Sequence, residues 1–173
     1  MTPSFHDRFV ELFEGHFHRL FRYLDRLSGE PELAADLAQE AFVRLYARGS
    51  LPDAPEAWLI SVAMNLFRNA KSTRARRRRL LTPQRAEAVL ADPPPSPGQT
   101  AVATDSRERV RAALDRLPQR EREMLLLRAE GYSYRDMAAA LGLHEASVGT
   151  LLARAKGAFR EAYDAHEDEP DAF

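Results

Sequence analysis

Apolar positions at three- and four-residue spacing run through most of the chain and predict helices. From Phe5 to Leu27, Phe9, Leu12, Phe13, Phe17, Leu20, Phe21, Leu24 and Leu27 keep helical period, with Gly15 as a candidate break and Ser28-Gly29 as a stop. Glu30-Pro31-Glu32 opens a second helix, with proline in its first turn and acids at the positive end of its dipole. On that helix Ala34, Leu37, Ala38, Ala41, Phe42 and Leu45 form the stripe to be buried. Arg48 to Pro52 reads as a loop. Asp53-Ala54-Pro55-Glu56 is a start signal, with Asp53 as the candidate N-cap. The third helix runs to about Arg79, and Leu59, Val62, Ala63, Leu66 and Ala70 are its expected buried stripe.

From Leu80 the period decays. Asp92-Pro93-Pro94-Pro95-Ser96-Pro97-Gly98 suits neither helix nor central strand, so residues 81–106 read as a flexible, proline-rich linker. Helical period returns from Arg107 to Leu117 with Val110, Ala113, Leu114 and Leu117 facing inward. Pro118 opens another helix, carrying Met124 to Leu127 and ending at Gly131. Ser133-Tyr134-Arg135-Asp136 resembles a capping box, Met137, Ala138 and Leu141 point inward, and Gly142 makes the turn. The last helix starts near His144-Glu145 and buries Val148, Leu152, Ala155 and Phe159. Helix, tight glycine turn, helix is the helix-turn-helix pattern, whose second helix lies in the major groove. The expected fold is all-α: two small helical domains, residues 1–80 and 107–163, and an acidic tail over 164–173.

Composition narrows the chemistry. The 173 residues hold no cysteine, which removes disulfides, thiol nucleophiles and thiolate metal sites and fits a reducing cytoplasm. No signal peptide is visible, and no apolar run approaches the roughly 20 residues that span a membrane. His16 and His18 sit two apart, so a helix turns them to different faces and no metal site is expected. There is no phosphate loop, HExxH or plausible Ser/His/Asp set, so the chain is not expected to be an enzyme, and no cofactor or small-molecule substrate is implied. Net charge is −1, and the charges are segregated. Cations crowd from Arg68 to Arg79, and acids crowd from Glu161 to Asp171, where a solubilising tail is a better reading than a cation site.

Two outward faces carry candidate chemistry. Asp36, Gln39, Glu40 and Val43 lie opposite the second helix's stripe. Two acids four apart repel, so Asp36 and Glu40 are not expected to serve the helix itself. On the third helix Trp58, Ser61, Asn65, Arg68 and Ser72 form a line that runs into Lys71, Arg74 and Arg76-Arg77-Arg78-Arg79. A ring, hydroxyls, an amide and guanidinium groups on one face suit unpaired nucleic acid: bases stack and phosphates meet cations. Plainer readings stand beside these: a solvated helix end for the arginine run, an ordinary acidic face for Asp36 and Glu40, and core packing for Trp58.

Three stretches resemble the bacterial RNA polymerase sigma factors of the sigma-70 family, in its small extracytoplasmic-function group. Asp36 to Tyr46 is similar to the polymerase-docking helix. Trp58-Leu59 through Ala63-Met64-Asn65 to the arginine run is similar to the −10 recognition helix. Leu117 to Glu123, followed by Gly131 to Lys156, is similar to the −35-reading domain. The resemblance covers residues 5–79 and 107–163. It implies that Asp36, Leu37, Gln39, Glu40 and Val43 dock the basic clamp coiled coil of the largest polymerase subunit. The loop from Gly49 to Glu56 would hold a flipped base. Trp58, Ser61, Asn65, Arg68, Asn69, Lys71, Arg74, Arg76 and Arg77 would meet the melted −10 strand or its edge.

The second domain would grip the polymerase flap and read −35 duplex through Arg135, His144, Glu145, Ser147, Gly149, Thr150 and Arg154. An anti-sigma protein is an implied partner, along with core polymerase and promoter DNA, and no direct membrane insertion is implied. The linker would thread between the domains: about 25 residues reach roughly 80 Å extended but only about 25–30 Å as a free coil. Gly149 and Leu151 stand where the family usually carries Lys and Arg, so the −35 preference is open. Two alternatives remain: a stand-alone helix-turn-helix regulator, for which no dimerisation helix is seen, and a protein adaptor that sequesters polymerase or a regulator.

Overall fold

The computed structural model describes residues 3–80 and 101–167, the side chains of 101–103 and 166–167 excepted. All regular structure among them is helical: α1 Phe5–Ser28, α2 Pro31–Arg48, α3 Pro55–Leu80, α4 Ala101–Asp115, α5 Gln119–Ala129, α6 Tyr134–Leu141 and α7 Glu145–Glu167. The chain divides into two compact units, one holding α1–α3 and the other α4–α7.

In the first unit α2 packs against both of its neighbours. Its buried residues are Ala34, Leu37, Ala38, Ala41, Phe42 and Leu45, the stripe read from the spacing. The alanines in that stripe let neighbouring backbones approach, because interhelical distance depends on the side chains at the contact. Leu20, Tyr23, Leu24 and Leu27 of α1 close the core from one side. Toward the start of α1, Phe13 meets Phe42 edge-on at 5.1 Å and Phe9 meets Tyr46 at 5.0 Å. The helix passes through Gly15 without a break. Its start is fixed by a capping box: the Asp7 N–H donates to Ser4 Oγ at 3.2 Å, and the Ser4 N–H donates to Asp7 Oδ2 at 3.0 Å.

The expected stripe on α3 is displaced. Ala57, Leu59, Ile60, Ala63, Met64 and Phe67 are buried, whereas Val62, Leu66 and Ala70 are only half-buried. The helix is apolar around most of its early turns, and the partners choose the face. Asp53 is not the N-cap either: the Trp58 N–H donates to the Ala54 carbonyl at 3.0 Å, which puts the first helical turn after Ala54.

In the second unit α4 begins at Ala101, inside the expected linker, while residues 81–100 of that linker lie outside the described residues. Ala113 and Leu117 are buried, Leu114 is half-buried and Val110 is exposed. Met124, Leu127, Met137, Val148, Leu152 and Ala155 fill the core, with Leu141 and Phe159 half-buried at its edge. The turn between α6 and α7 closes on Gly142, whose φ of 65° is the left-handed conformation glycine adopts without penalty. Ser133 caps α6 through the Asp136 N–H at 3.1 Å. α7 continues to Glu167, so the first part of the expected tail is helical and the rest, 168–173, lies outside the described residues.

Candidate functional site

The outward face of α2 is a ridge rather than a purely acidic strip. Asp36, Gln39 and Glu40 are exposed, and Val43 stands among them at 60% exposure. Tyr46, one turn on, is 50% exposed and was missed in the sequence; its signal was a large aromatic three residues beyond Val43, off the buried stripe. Leu37, expected to share in docking, faces inward at 7% exposure and belongs to the core. Glu40 also serves the helix, contrary to the expectation for both acids: Arg44 Nε donates to its Oε1 at 2.8 Å.

The loop after α2 starts at Gly49, whose φ of 73° ends the helix. Gly49, Ser50, Asp53 and Ala54 are exposed, while Leu51 and Pro52 are half-buried and anchor the loop. Its far end is held by Glu56, which accepts from Arg19 Nη1 at 2.7 Å and lies 3.5 Å from His16 Nδ1, tying the first turn of α3 to α1.

Along α3 the structure sorts the expected contact residues. Trp58 and Ser61 are half-buried, and the Ser61 hydroxyl donates to the Ala57 carbonyl at 2.9 Å. Asn65, Arg68, Asn69 and Lys71 are exposed. Asn65 Oδ1 accepts from Arg68 Nη1 at 3.2 Å, and the Lys71 ammonium sits 5.5 Å from the Phe67 ring centroid. Arg76 to Arg79 are exposed on the last turns. Arg74 is engaged within its own unit. Its Nη1 and Nη2 donate to the two Glu30 carboxylate oxygens, the second at 2.7 Å, and this hydrogen bonding raises the guanidinium pKa further above its ordinary value.

On α7, Ser147, Thr150 and Arg154 are exposed on the side away from Val148, Leu152 and Ala155. Glu145 and His144 are exposed at its start, where the His144 carbonyl accepts the Ser147 N–H at 2.9 Å. Gly149 departs from its expected role. A Cβ built there would point at the Tyr134 ring, 3.6 Å from Cε2, so the position faces α6 rather than the outward line. Arg135 is exposed beside Tyr134, and Arg128 stacks over the Tyr134 ring at 5.3 Å. Three arginines around the motif are struts. Arg120 donates to the Leu141 carbonyl at the end of α6 (3.2 Å), Arg122 pairs with Asp115 (2.9 Å), and Arg128 donates to the Tyr132 carbonyl (3.2 Å).

Comparison with known proteins agrees with this division. Residues 12–78 match the family model for sigma-70 region 2, and residues 107–159 match the model for sigma-70 region 4. The chain is 41% identical over 137 residues to the ECF RNA polymerase sigma factor EcfG of Rhodopseudomonas palustris, covering 74% of this chain and 68% of that one. It is 34% identical over 164 residues to the ECF RNA polymerase sigma factor SigE of Mycolicibacterium smegmatis, covering 92% of this chain but only 63% of the relative's length. Its fold is similar to that of the sigma factor RpoE from Bartonella quintana, solved with the anti-sigma factor NepR: the TM-score is 0.64 at 23% identity, over 91% of this chain and 97% of that one. Two helical units, matched in order by the region 2 and region 4 models and carried by relatives of this identity, place the chain in the sigma-70 family, in its extracytoplasmic-function group.

Proposed function

We propose that the chain is a promoter-specificity subunit: it binds core RNA polymerase in the cytoplasm and directs initiation at promoters with its own −35 and −10 elements. The observation that carries this is the α2 ridge, in which Val43 stands 60% exposed among Asp36, Gln39 and Glu40, opposite a fully apolar buried stripe. An exposed aliphatic group beside acids and an amide suits a basic partner, as the family resemblance implies for the clamp coiled coil of the largest subunit. The first unit then holds the melted −10 strand, through the Gly49–Glu56 loop and the exposed Asn65, Arg68, Asn69, Lys71, Arg76 and Arg77. Unstacking a base costs a few kcal/mol, which pocket and stacking contacts offset. The second unit grips the flap and reads −35 duplex with Ser147, Thr150 and Arg154, flanked by Arg135, His144 and Glu145. Bond-making chemistry belongs to the polymerase. The solved neighbour was crystallised with an anti-sigma factor, which supports a comparable inhibitory protein partner here.

Run-off transcription with core polymerase tests the reading. Addition of the chain is expected to produce transcripts starting at discrete promoters. Promoter binding by the chain alone, with no polymerase-dependent initiation, would transfer it to the stand-alone regulators.

A further inference from the structure

The α3 helix outruns its own core. It has 26 residues, about 39 Å at 1.5 Å per residue, yet its last buried residue is Phe67. Every residue from Lys71 to Leu80 is exposed, so the arginine-rich end is a cantilever with no apolar packing beneath it among the described residues. Arg74 sits two helical turns beyond Phe67 on the same face, where the next core residue of the stripe would fall. There its guanidinium reaches Glu30 through both nitrogens.

Glu30 is a firm mount. It holds the N-cap position of α2 with extended backbone, and its carbonyl accepts the Ala34 N–H at 2.9 Å. Its own N–H donates to Ser28 Oγ at 3.0 Å. Its side chain makes no capping bond to α2.

We propose that the Glu30–Arg74 pair is a brace that sets the direction in which the arginine-rich end of α3 leaves its unit. Both are positioning residues for promoter DNA rather than part of the surface that touches it. A fork-shaped, two-point pair fixes orientation as well as distance, which a lysine in the same place would not do. With the Arg74 side chain 52% and the Glu30 side chain 31% exposed, the pair is not a buried one, and its effect is a modest bias on the helix end. The DNA part of this inference rests on the sigma-factor reading, whereas the brace itself does not.

Two measurements on the full chain separate them. In the free protein, hydrogen exchange of the amides from Ala70 to Leu80 should quicken about two- to fivefold in Glu30→Gln and in Arg74→Gln alike. Unchanged exchange overturns the brace. With core polymerase and fork-junction promoter DNA, Glu30→Gln should weaken binding by a similar factor, although removing an acid raises the attraction for phosphates. The double variant should be no worse than either single one. Binding by Glu30→Gln as tight as the parent's or tighter, or additive losses in the double variant, overturns the positioning role and returns Arg74 to the DNA contacts. A parent chain that fails to bind the fork with polymerase sinks the sigma-factor reading, and the exchange data still decide the brace.

Discussion

Val43→Ala pits docking against folding. The change removes two methyl groups from a residue that is 60% exposed in the free chain. At about 0.8 kcal/mol per buried methylene, scaled to the exposed share, covering those groups with a partner contributes about 1 kcal/mol. That is about a fivefold loss in affinity for core polymerase. Fold stability should hardly move, since alanine's advantage over valine in helix propensity, up to about 0.7 kcal/mol, roughly offsets what the covered share of the side chain gives up. Leu37→Ala is the counterpart. At 7% exposure it opens the core and should cost about 2–5 kcal/mol of stability in the first unit. Titration of labelled chain with core polymerase, alongside thermal unfolding, reads both quantities. A Val43→Ala chain that loads as well as the parent, or that loses as much stability as Leu37→Ala, refutes the placement of the ridge.

Lysines at both Asp36 and Glu40 should cut polymerase loading by more than about tenfold, because like charges then face a basic partner; loading at the parent's level in a gel-shift assay argues against docking here. Gly149→Ala should be accommodated, since the new methyl meets Tyr134 at 3.6 Å, an ordinary contact. It should stabilise the second unit by up to about 1 kcal/mol and leave −35 duplex binding unchanged; Gly157→Ala, with nothing within 4 Å, is the control, and lost DNA affinity in Gly149→Ala alone would show close backbone approach there. The Ser4 hydroxyl and N–H hold the Asp7 carboxyl below its ordinary value of 3.8. Because the folded pKa is depressed, the cap's contribution is present above that value and fades as pH falls through the folded pKa, so amides in the first turn of α1 should lose protection there in the parent, while Asp7→Asn, with no carboxyl to protonate, shows no such step.

The α2 stripe was legible because alanine and leucine fall on one side and polar groups on the other, so period alone picks the face. On α3 the same rule failed. Trp58, Leu59, Ile60, Val62, Ala63, Met64, Leu66 and Phe67 surround the helix, and only the positions of α1 and α2 select Ile60, Met64 and Phe67 for the core. The glycine at Gly15 suggested a break that α1, capped at Ser4 and packed through Leu20 to Leu27, overrides. Arg74 was visible as a cation, but its partner lies 44 residues away, and no local pattern reports that. The Gly149 departure was visible as chemistry and not as direction: its side of α7 is set by the packing of α6.

On the proposed reading, the division of the arginines sets how each unit would hold DNA. Arg19 and Arg74 in the first unit, and Arg120, Arg122 and Arg128 in the second, are spent on carboxylates and carbonyls of the chain itself. The outward side of the first unit still carries Lys71 and Arg76 to Arg79, whereas on α7 the outward line of Ser147, Thr150 and Arg154 has a single cation. Counterion release scales with the phosphates neutralised, so the salt-dependent grip belongs mainly to the first unit. The second unit would then discriminate through hydroxyl contacts, the guanidinium groups of Arg154 and the flanking Arg135, and the fit of the helix in the groove. Arg154→Gln should therefore lower the salt slope of promoter binding by about one, and glutamines at Arg76 and Arg77 by up to about two. Equal slopes for the parent and the Arg76/Arg77 variant would mean that the exposed end of α3 lies away from phosphate.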